Sequence, residues 1–251
     1  MLDDGKQYLV ESRLQPLARR EGLTNVAELV KELQGSSRNG LHQKVIEAMT
    51  THETSFFRDI RPFDALRRAV LPELIAARSA TRTLRIWCAA CSTGQEPYSL
   101  AMLLRENFPQ LQGWDVSILA TDLSMQILEK AREGIFNQIE INRGLPAPYL
   151  LKYFQRQGMN WRVKEDLRQM VNFRPMNLIE PWPLMPPVDV VLLRNVLIYF
   201  DINTKKSILS NVRRLMRPDS YLFLGGAEST FNLDDAFKRV ELEQSSVYCL
   251  R

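Results

Sequence analysis

Residues 83–107 read TLRIWCAACSTGQEPYSLAMLLREN, and this stretch carries the signals of a strand, a tight turn and a helix in succession. The first part, Thr83–Ala89, is mostly apolar and predicts a buried strand. A short turn, Cys91–Gly94, separates it from Gln95–Asn107, in which leucines recur with helical spacing. A strand that leads through a tight turn into a helix is the repeating unit of a parallel α/β sheet.

The same alternation continues toward the end of the chain. Val188–Leu193 (VDVVLL) is nearly continuous in apolar residues, as expected for a central parallel strand that is buried on both faces. Helices are predicted at Ser124–Glu133 and Thr204–Met216. Further strands are predicted at Asp115–Ala120, Val171–Phe173, Ser220–Gly225 and, as a closing antiparallel pair, Phe237–Glu241 and Ser246–Leu250. The pattern predicts a doubly wound α/β domain.

The chain divides by composition into two predicted domains. Residues 1–79 carry apolar residues at a helical period and few strand signals, so we expect a helical N-terminal domain there. Residues 80–251 are expected to form the α/β domain. Within it, residues 156–169 interrupt the alternation and include Trp161-Arg162-Val163, which predicts a small inserted β-hairpin.

Composition and charge restrict the class of protein. Of the 251 residues, 45% are hydrophobic and 25% are charged, which excludes a disordered chain, a collagen-like chain and a disulfide scaffold. The start, MLDDGKQYLV, is polar where a signal peptide is apolar, so we expect a cytoplasmic protein without membrane insertion. Scattered Lys and Arg give a net charge of +4. A solvated mixed surface is favoured over a phosphate-binding patch, and an acidic protein partner is a further alternative. We expect a monomer that binds no nucleic acid.

Cys88 and Cys91 have the C-x-x-C spacing that also occurs in redox and zinc sites. A zinc site needs four ligands, and no second ligand pair lies nearby. A redox pair would begin a helix, whereas Cys88 ends the predicted strand. Small thiols that fill the core are therefore the favoured interpretation, and redox or metal chemistry is the alternative.

Polar residues follow four of the predicted strands, where open parallel sheets bind their ligands. Each of them alone is also consistent with a helix cap, a turn or a solvated strand end. Together they predict a nucleoside-type site, although the G-x-G-x-x-G pattern of NAD-binding and FAD-binding turns is absent. They are Ser92-Thr93-Gly94-Gln95-Glu96, Asp122, Asn177 and Arg194-Asn195.

Longer motifs extend this interpretation. Thr50–Asp59 (TTHETSFFRD) resembles the T-T-N-x-T-x-F-F-R-[ED] segment of the bacterial chemotaxis receptor methyltransferases, the CheR family. Ile86–Ser99 (IWCAACSTGQEPYS) is similar to the family signature [IV]-W-x-A-x-[CA]-S-T-G-E-E-P-Y-S. Ala120–Ser124 (ATDLS) and Arg194–Asp201 (RNVLIYFD) match two further motifs, and all four occur in family order.

The resemblance implies an S-adenosylmethionine-dependent protein-glutamate O-methyltransferase with S-adenosylhomocysteine as its product. It implies a class I methyltransferase domain, doubly wound with a mostly parallel sheet, a helical N-terminal domain and a small inserted β-subdomain. The substrate would be glutamates on the cytoplasmic helical bundle of chemoreceptors, and a regulatory adaptor protein would be a further partner. A module that binds the cofactor as a signal and a methyltransferase with another substrate are the alternatives.

Carried over residue by residue, the family's cofactor contacts fall on His52, Thr54, Arg58, Glu96, Asp122, Asn177, Leu178, Arg194 and Asn195. By this resemblance Thr54 and Arg58 hold the methionine carboxylate, since a guanidinium can pair with it in bidentate fashion. Glu96 meets the methionine amino group, Asp122 the ribose hydroxyls, and Asn177–Leu178 the adenine. No metal ligands are expected.

Arg194, Asn195 and Tyr199 are expected to orient the incoming substrate carboxylate, with a core aromatic as the alternative for Tyr199. The unperturbed pKa of a glutamate is about 4.3, so the substrate is ionised at pH 7 and needs no general base. Catalysis is then expected from the alignment of the reacting groups and from desolvation of the carboxylate.

Some positions depart from the family pattern. His52 stands where many members have Asn, and Gln95 replaces an acidic residue beside Glu96. The segment Arg156–Asn160 is shorter than in members that dock a receptor's C-terminal peptide, so we expect a peptide-independent enzyme. The resemblance also suggests a basic face on the N-terminal helices toward the receptor, formed by Arg13, Arg19, Arg20, Lys31, Arg38 and Lys44.

Overall fold

The computed structural model of the chain describes residues 7–35 and 40–251, so Arg38 lies outside the described residues. Contacts divide the chain into two compact units, Met1–Glu53 and Thr54–Arg251. In its described residues the first unit contains the helices α1 (Gln7–Arg20), α2 (Val26–Gly35) and α3 (Leu41–Met49). They pack around a small apolar core of Leu14, Leu17, Ala18 and Leu29.

The second unit alternates strands and helices. Its strands are β1 (Thr83–Ala89), β2 (Asp115–Asp122), β3 (Ile135–Phe136), β4 (Phe154–Gln157), β5 (Asn160–Val163), β6 (Val171–Pro175), β7 (Val188–Leu193), β8 (Met216–Leu224), β9 (Phe237–Leu242) and β10 (Ser245–Leu250). Its helices are α4 (Arg61–Ala65), α5 (Leu71–Ala77), α6 (Gln95–Asn107), α7 (Met125–Glu133), α8 (Gln138–Asn142), α9 (Ala147–Tyr153), α10 (Glu165–Arg168) and α11 (Ile202–Leu215). Across the described part of the chain, every helix is too short or too polar to cross a lipid bilayer.

Seven strands form the central sheet in the order β6-β2-β1-β7-β8-β10-β9. The pairs β6–β2, β2–β1, β1–β7 and β7–β8 are parallel, whereas β10 is antiparallel to both β8 and β9. The predicted doubly wound, mostly parallel sheet is therefore confirmed, with the closing antiparallel pair at one edge. The strand order reverses between β1 and β7, which is the position where sheets of this kind bind ligands.

Each face of the sheet has its own apolar core, because successive residues of a strand point to opposite faces. Ile86 of β1 lies in one cluster with Phe63 of α4 and Leu100 of α6. Its neighbour Trp87 lies in the other cluster with Ile208 of α11. The whole of β7 is buried, which explains why its sequence lacks the polar alternation of a half-exposed strand.

The boundary between the two units differs from the expected one. Sequence patterns favoured a helical domain that ends at residue 79, whereas contacts divide the chain after Glu53. Residues 54–77 fold with the sheet because their apolar side chains, among them Phe56 and Leu71, lie in the cluster that contains Ile86. A helical period predicts a helix but does not say which core the helix packs against.

The inserted subdomain is larger than a hairpin. Strands β3, β4 and β5 form a separate antiparallel sheet in the order β3-β5-β4. The hairpin consists of β4 and β5, joined by the two-residue turn Gly158-Met159, and the end of the expected 156–169 segment forms α10 instead. The two residues of β3 are too few to leave an alternating pattern in the sequence.

A fully buried carboxylate, Asp189 of β7, joins several elements at the amino-terminal edge of the sheet. It accepts hydrogen bonds from Arg78 Nε (2.9 Å) and from the backbone N–H of Arg85 (2.8 Å), and it lies 3.3 Å from Arg217 Nε. Arg78 also pairs with Asp219. Because Asp189 and Arg78 are shielded from water, the loss of Asp189 leaves a poorly hydrated guanidinium with fewer partners.

We expect Asp189→Ala to lower the free energy of unfolding by about 3 kcal/mol or more, since it removes the acceptor of Arg78 Nε and of the Arg85 backbone N–H and leaves the mostly buried guanidinium of Arg78 paired only with Asp219. Urea denaturation followed by circular dichroism measures the change. Asp115→Ala is the matched control, because Asp115 also pairs with Arg85 but has 61% of its side chain exposed. It should cost at most about 1 kcal/mol. Equal losses of unfolding free energy in the two variants would contradict the claim that the burial of Asp189 makes its ion pairs important for stability.

Candidate functional site

The carboxyl ends of the parallel strands bring together the segments that the sequence singled out. The turn at residues 90–94 follows β1, Asp122 ends β2, and Arg194 directly follows β7. The Ser92 backbone N–H donates to Asp122 Oδ2 (2.9 Å), and Arg194 Nη1 donates to Glu96 Oε2 (2.8 Å). Direct hydrogen bonds thus join β1, β2 and β7 at the switch point.

Arg194 has only 2% of its side chain exposed, and both terminal nitrogens of its guanidinium donate to oxygen atoms. Besides the bond to Glu96, Nη2 donates to Asp59 Oδ2 (2.7 Å) and to the backbone carbonyl of Arg58 (2.9 Å). The Phe63 ring lies beneath it, with its centroid 5.8 Å from Cζ. We call Arg194, Glu96, Asp59 and the Arg58 carbonyl the Arg194 cluster. The cluster ties the segment before α4 to the start of α6 and the end of β7.

Burial raises the pKa of the Glu96 carboxyl above its ordinary value, while the positive charges of Arg194 and Arg58 oppose that increase. The nearby Asp59 carboxylate acts in the same direction as burial. Glu96 therefore takes up a proton at a higher pH than an exposed glutamate. The two arginines are what keeps a negative charge available at this buried position.

Unusual backbone conformations are concentrated around the Arg194 cluster. Ser92 (φ 51°), Asp59 (φ 67°) and Asn195 (φ 58°) all have positive φ, which costs roughly 1–3 kcal/mol each and is typical of functional sites. Gly94, with φ 94°, directly precedes α6. A Cβ at this position would lie 3.1 Å from the Cβ of Ala131 in α7, so glycine permits the close approach of the two elements.

Asp122 is buried, and each of its oxygens accepts a backbone N–H, from Ser92 at Oδ2 (2.9 Å) and from Ser124 at Oδ1 (3.1 Å). A carboxylate has about four acceptor positions, so two further donors can bind. The side chain of Ser124 caps α7 by accepting from Ile127 (3.2 Å), as its sequence position predicts. The turn and the cap together fix the direction of the Asp122 carboxylate.

Asn177 and Leu178 follow the end of β6. Asn177 Oδ1 accepts from the backbone N–H of Ile179 (3.2 Å), which closes a local turn. The Leu178 side chain lies in an apolar cluster of the sheet, and its carbonyl accepts from Trp182 Nε1 (3.2 Å). Its side chain is thus committed to the core, and a ligand contact of Leu178 would use the backbone.

Three further residues were expected in the site, namely Tyr199, Thr54 and His52. Tyr199 ends a 3₁₀ turn, Leu197–Tyr199, and is 49% exposed, so the core-aromatic alternative is wrong. Thr54 is half-buried at the start of the second unit, and His52 belongs to the first unit. The roles that the resemblance implies for these three residues stay predictions.

Two acidic residues of this edge were missed by sequence reasoning. Asp59 lies inside the first motif but was given no role, and it pairs with Arg194. Glu228 follows β8, and its carboxylate accepts from the backbone N–H groups of Asn195 (2.8 Å), Val196 (2.9 Å), Ile198 (3.3 Å) and Gly225 (2.6 Å). A polar residue just after a strand was the signal for the other sites, and it applies to Glu228 as well.

Cys88 and Cys91 are buried, and burial raises the pKa of both thiols well above the ordinary value. The thiolate is the form that binds metals and attacks disulfides. Within residues 7–35 and 40–251, no group of three or more His, Cys, Asp or Glu side chains could hold a metal ion. These observations favour the interpretation of core-filling thiols.

Fold and site together define an α/β protein with buried charged groups at the switch point of a doubly wound sheet. Residues 52–246 match the family model of the CheR methyltransferase SAM-binding domain, and residues 1–50 match that of the CheR all-alpha domain. The chain belongs to the CheR methyltransferase family. The expected fold class and the S-adenosylmethionine cofactor are thereby confirmed.

Named relatives match the chain over nearly its whole length. The chain is 43% identical over 253 residues to chemotaxis protein methyltransferase 1 of Pseudomonas aeruginosa. This alignment covers 99% of this chain and 91% of the relative. It is 38% identical to the chemotaxis protein methyltransferase of Vibrio parahaemolyticus, with 100% and 91% covered. It is 35% identical to the chemotaxis protein methyltransferase of Escherichia coli, with 100% and 85% covered.

The donor set at the site fits S-adenosylmethionine chemically. The methionyl end of the cofactor carries a carboxylate and an ammonium group, and the site offers the guanidinium of Arg58 beside the carboxylates of Glu96 and Asp59. The ribose carries two hydroxyls, and Asp122 has acceptor positions left for them. Ser92 Oγ is buried and has no hydrogen-bond partner among the described residues, which points to a polar ligand at this turn.

We expect the affinity for S-adenosylhomocysteine to fall as the pH is lowered from neutral into the acidic range, because protonation of Glu96 removes the charge that would hold the ligand's ammonium group. The raised pKa of Glu96 brings this loss to a higher pH than for an exposed glutamate. Titration calorimetry at several pH values measures it. Glu96→Gln should bind more weakly at neutral pH and should lose the pH dependence.

The matched control for this pH dependence is Glu106→Gln. The ion pair with Lys152 lowers the pKa of Glu106, which is the opposite direction to the shift of Glu96. This variant should keep the wild-type pH profile. A Glu96→Gln variant with an unchanged pH profile would show that another group governs the binding.

Proposed function

We propose that the chain transfers a methyl group from S-adenosylmethionine to glutamate side chains of chemoreceptors, as a protein-glutamate O-methyltransferase of chemotactic signal transduction. Membership of the CheR methyltransferase family supports the reaction, and the names of the relatives support the pathway. The observation that carries the proposal is the Arg194 cluster at the switch point. It holds the Glu96 carboxylate close to the positive charge of Arg58, in a family that binds an amino-acid cofactor.

The proposal keeps the binding roles that the family resemblance implies. Arg58 and Thr54 hold the methionyl carboxylate, and Glu96 holds the ammonium group. Asp122 binds the ribose hydroxyls through its two remaining acceptor positions. Beyond these, the proposal keeps the adenine contact of Asn177 and Leu178 and the cofactor contacts of His52 and Asn195. Arg194, which was also expected to contact the cofactor, is assigned instead to holding Glu96, because only 2% of its side chain is exposed. Bound S-adenosylmethionine supplies a methyl group that is already activated by its sulfonium.

The residues of the chain then have to align the receptor carboxylate with the methyl group and exclude water. A glutamate of the receptor is ionised at pH 7, so no residue has to remove a proton from it. The loop after β7 is expected to orient that carboxylate through Asn195 and the half-exposed Tyr199. Arg194 is buried behind Glu96, so we assign it to positioning rather than to direct contact with the substrate. Alignment and desolvation account for the acceleration.

The proposal extends to partners and location. The chain is expected to act as a monomer in the cytoplasm, where the helical bundle of the receptor lies, and an adaptor protein is a further proposed partner. The basic residues of the first unit are proposed to face the acidic methylation region. Lys44 already pairs with Glu21 within this unit (2.7 Å), so Arg19 and Arg20, both exposed, are better suited to that contact.

Labelled methyl transfer tests the reaction directly. The chain is incubated with methyl-labelled S-adenosylmethionine and chemoreceptor-containing membranes, and the product is treated with alkali. We expect label on the receptor that alkali releases as volatile methanol, because a carboxyl methyl ester is base-labile. Receptors whose methylated glutamates are replaced by alanine serve as the control and should take up no label.

The result that would contradict the proposal is equally specific. Calorimetric binding of S-adenosylhomocysteine without any label on receptor would indicate a cofactor-sensing module or another substrate. Label that resists alkali would indicate transfer to a nitrogen or a sulfur instead of a carboxylate.

We further propose that the enzyme acts without the C-terminal pentapeptide of a receptor. The two-residue turn between β4 and β5 supports this, because it leaves little loop with which to dock a peptide. We expect no measurable binding of a receptor-tail pentapeptide in calorimetry. Receptors with and without their last five residues should be methylated at equal rates. Clear affinity, or a slower rate for the truncated receptor, would contradict it.

A further inference from the structure

The carboxylate of Glu228 joins two loops at the edge of the sheet that holds the Arg194 cluster. Oε2 accepts the backbone N–H groups of Asn195 (2.8 Å) and Gly225 (2.6 Å). Oε1 accepts those of Val196 (2.9 Å) and Ile198 (3.3 Å). Three of the four donors lie in the loop after β7, and the fourth lies directly after β8.

Four N–H donors fill the acceptor capacity of one carboxylate. Hydrogen bonds to an ionised acceptor are roughly twice as strong as neutral ones, so Glu228 holds these amides more firmly than a neutral side chain could. The occupied lone pairs also mean that Glu228 has little left to offer a ligand. The geometry therefore favours a role that acts through other residues.

The loop after β7 needs such support. Asn195 has a positive φ of 58°, an uncommon conformation that persists only where neighbouring contacts hold it. Gly225 approaches it so closely that a Cβ there would lie 2.6 Å from Asn195 Nδ2 and 2.8 Å from Glu228 Oε2. The two loops thus pack without room for a side chain between them.

We infer that Glu228 is a positioning residue for methyl transfer: it fixes the backbone of residues 195–198 so that Asn195 and Tyr199 face the substrate carboxylate. The inference rests on the proposed function, because the orienting roles of those two residues belong to it. Glu228 itself contacts neither substrate nor cofactor. Its substitution changes how the substrate is aligned, while Asp122 keeps its hydrogen bonds to the turns after β1 and β2.

The test is Glu228→Gln, which keeps the size of the side chain but replaces one acceptor oxygen by an amide group that cannot accept. We expect kcat for receptor methylation to fall at least tenfold. The dissociation constant of S-adenosylhomocysteine should change by less than that, and the thermal unfolding midpoint should show a folded protein. Hydrogen–deuterium exchange should become faster in residues 195–198 and stay unchanged in β1 and β2.

Glu241→Gln is the matched control, because Glu241 is an exposed glutamate of β9 that carries the same charge. It should leave kcat and exchange as in the wild type. Gly225→Ala is the second variant. Its added Cβ would displace Asn195 and Glu228 and so disturb the same loop without removing the carboxylate. We expect it to lower kcat and to speed exchange in residues 195–198 as well.

The outcomes separate this inference from the proposed function. Wild-type methylation with unchanged kcat in Glu228→Gln, or slow turnover without faster exchange in residues 195–198, would overturn the inference alone. A wild-type protein that forms no ester would overturn the proposed function, and with it the catalytic part of the inference. Faster exchange together with a selective loss of kcat supports it.

Discussion

The buried guanidinium of Arg194 is the constraint on which the site depends. A charge with 2% exposure is stable only if it is paired and hydrogen-bonded, and here Glu96, Asp59 and a backbone carbonyl meet that need. These partners come from the start of α6 and the segment before α4. The requirement to compensate one charge therefore fixes three segments relative to one another. It also keeps a carboxylate ready at a position where burial alone would favour its neutral form.

Two other carboxylates, Asp122 and Glu228, lie at the same edge of the sheet as this cluster and resemble each other in their contacts. Asp122 accepts the amides of the turns after β1 and β2, and Glu228 accepts those of the loops after β7 and β8. In both cases a carboxylate satisfies backbone groups that the strands leave unpaired at their ends. The difference is that Asp122 keeps acceptor positions for a ligand, whereas Glu228 has none left. The first is suited to binding and the second to support.

Local patterns in the sequence were sufficient to predict the strands of the central sheet. Apolar runs and turn residues predicted β1, β7 and the antiparallel closing pair, and the motif order predicted the cofactor and the family. What the patterns could not predict depends on contacts between distant residues. The pairing of Asp59 with Arg194 spans 135 positions, and the choice of core by residues 54–77 leaves no local signal. The short strand β3 shows the same limit, because two residues cannot define a period.

The most direct measurement of the central claim is a double-mutant cycle on S-adenosylhomocysteine affinity, with Arg194→Met and Glu96→Gln made singly and together. Unfolding midpoints establish that each variant is folded. If Arg194 acts by holding Glu96, its loss costs nothing once Glu96 is replaced, so the double variant binds no more weakly than Glu96→Gln alone, and the coupling amounts to about 1.5 kcal/mol or more. Losses that simply add, with no coupling beyond about 0.5 kcal/mol, would show that the two residues act independently and would contradict the account.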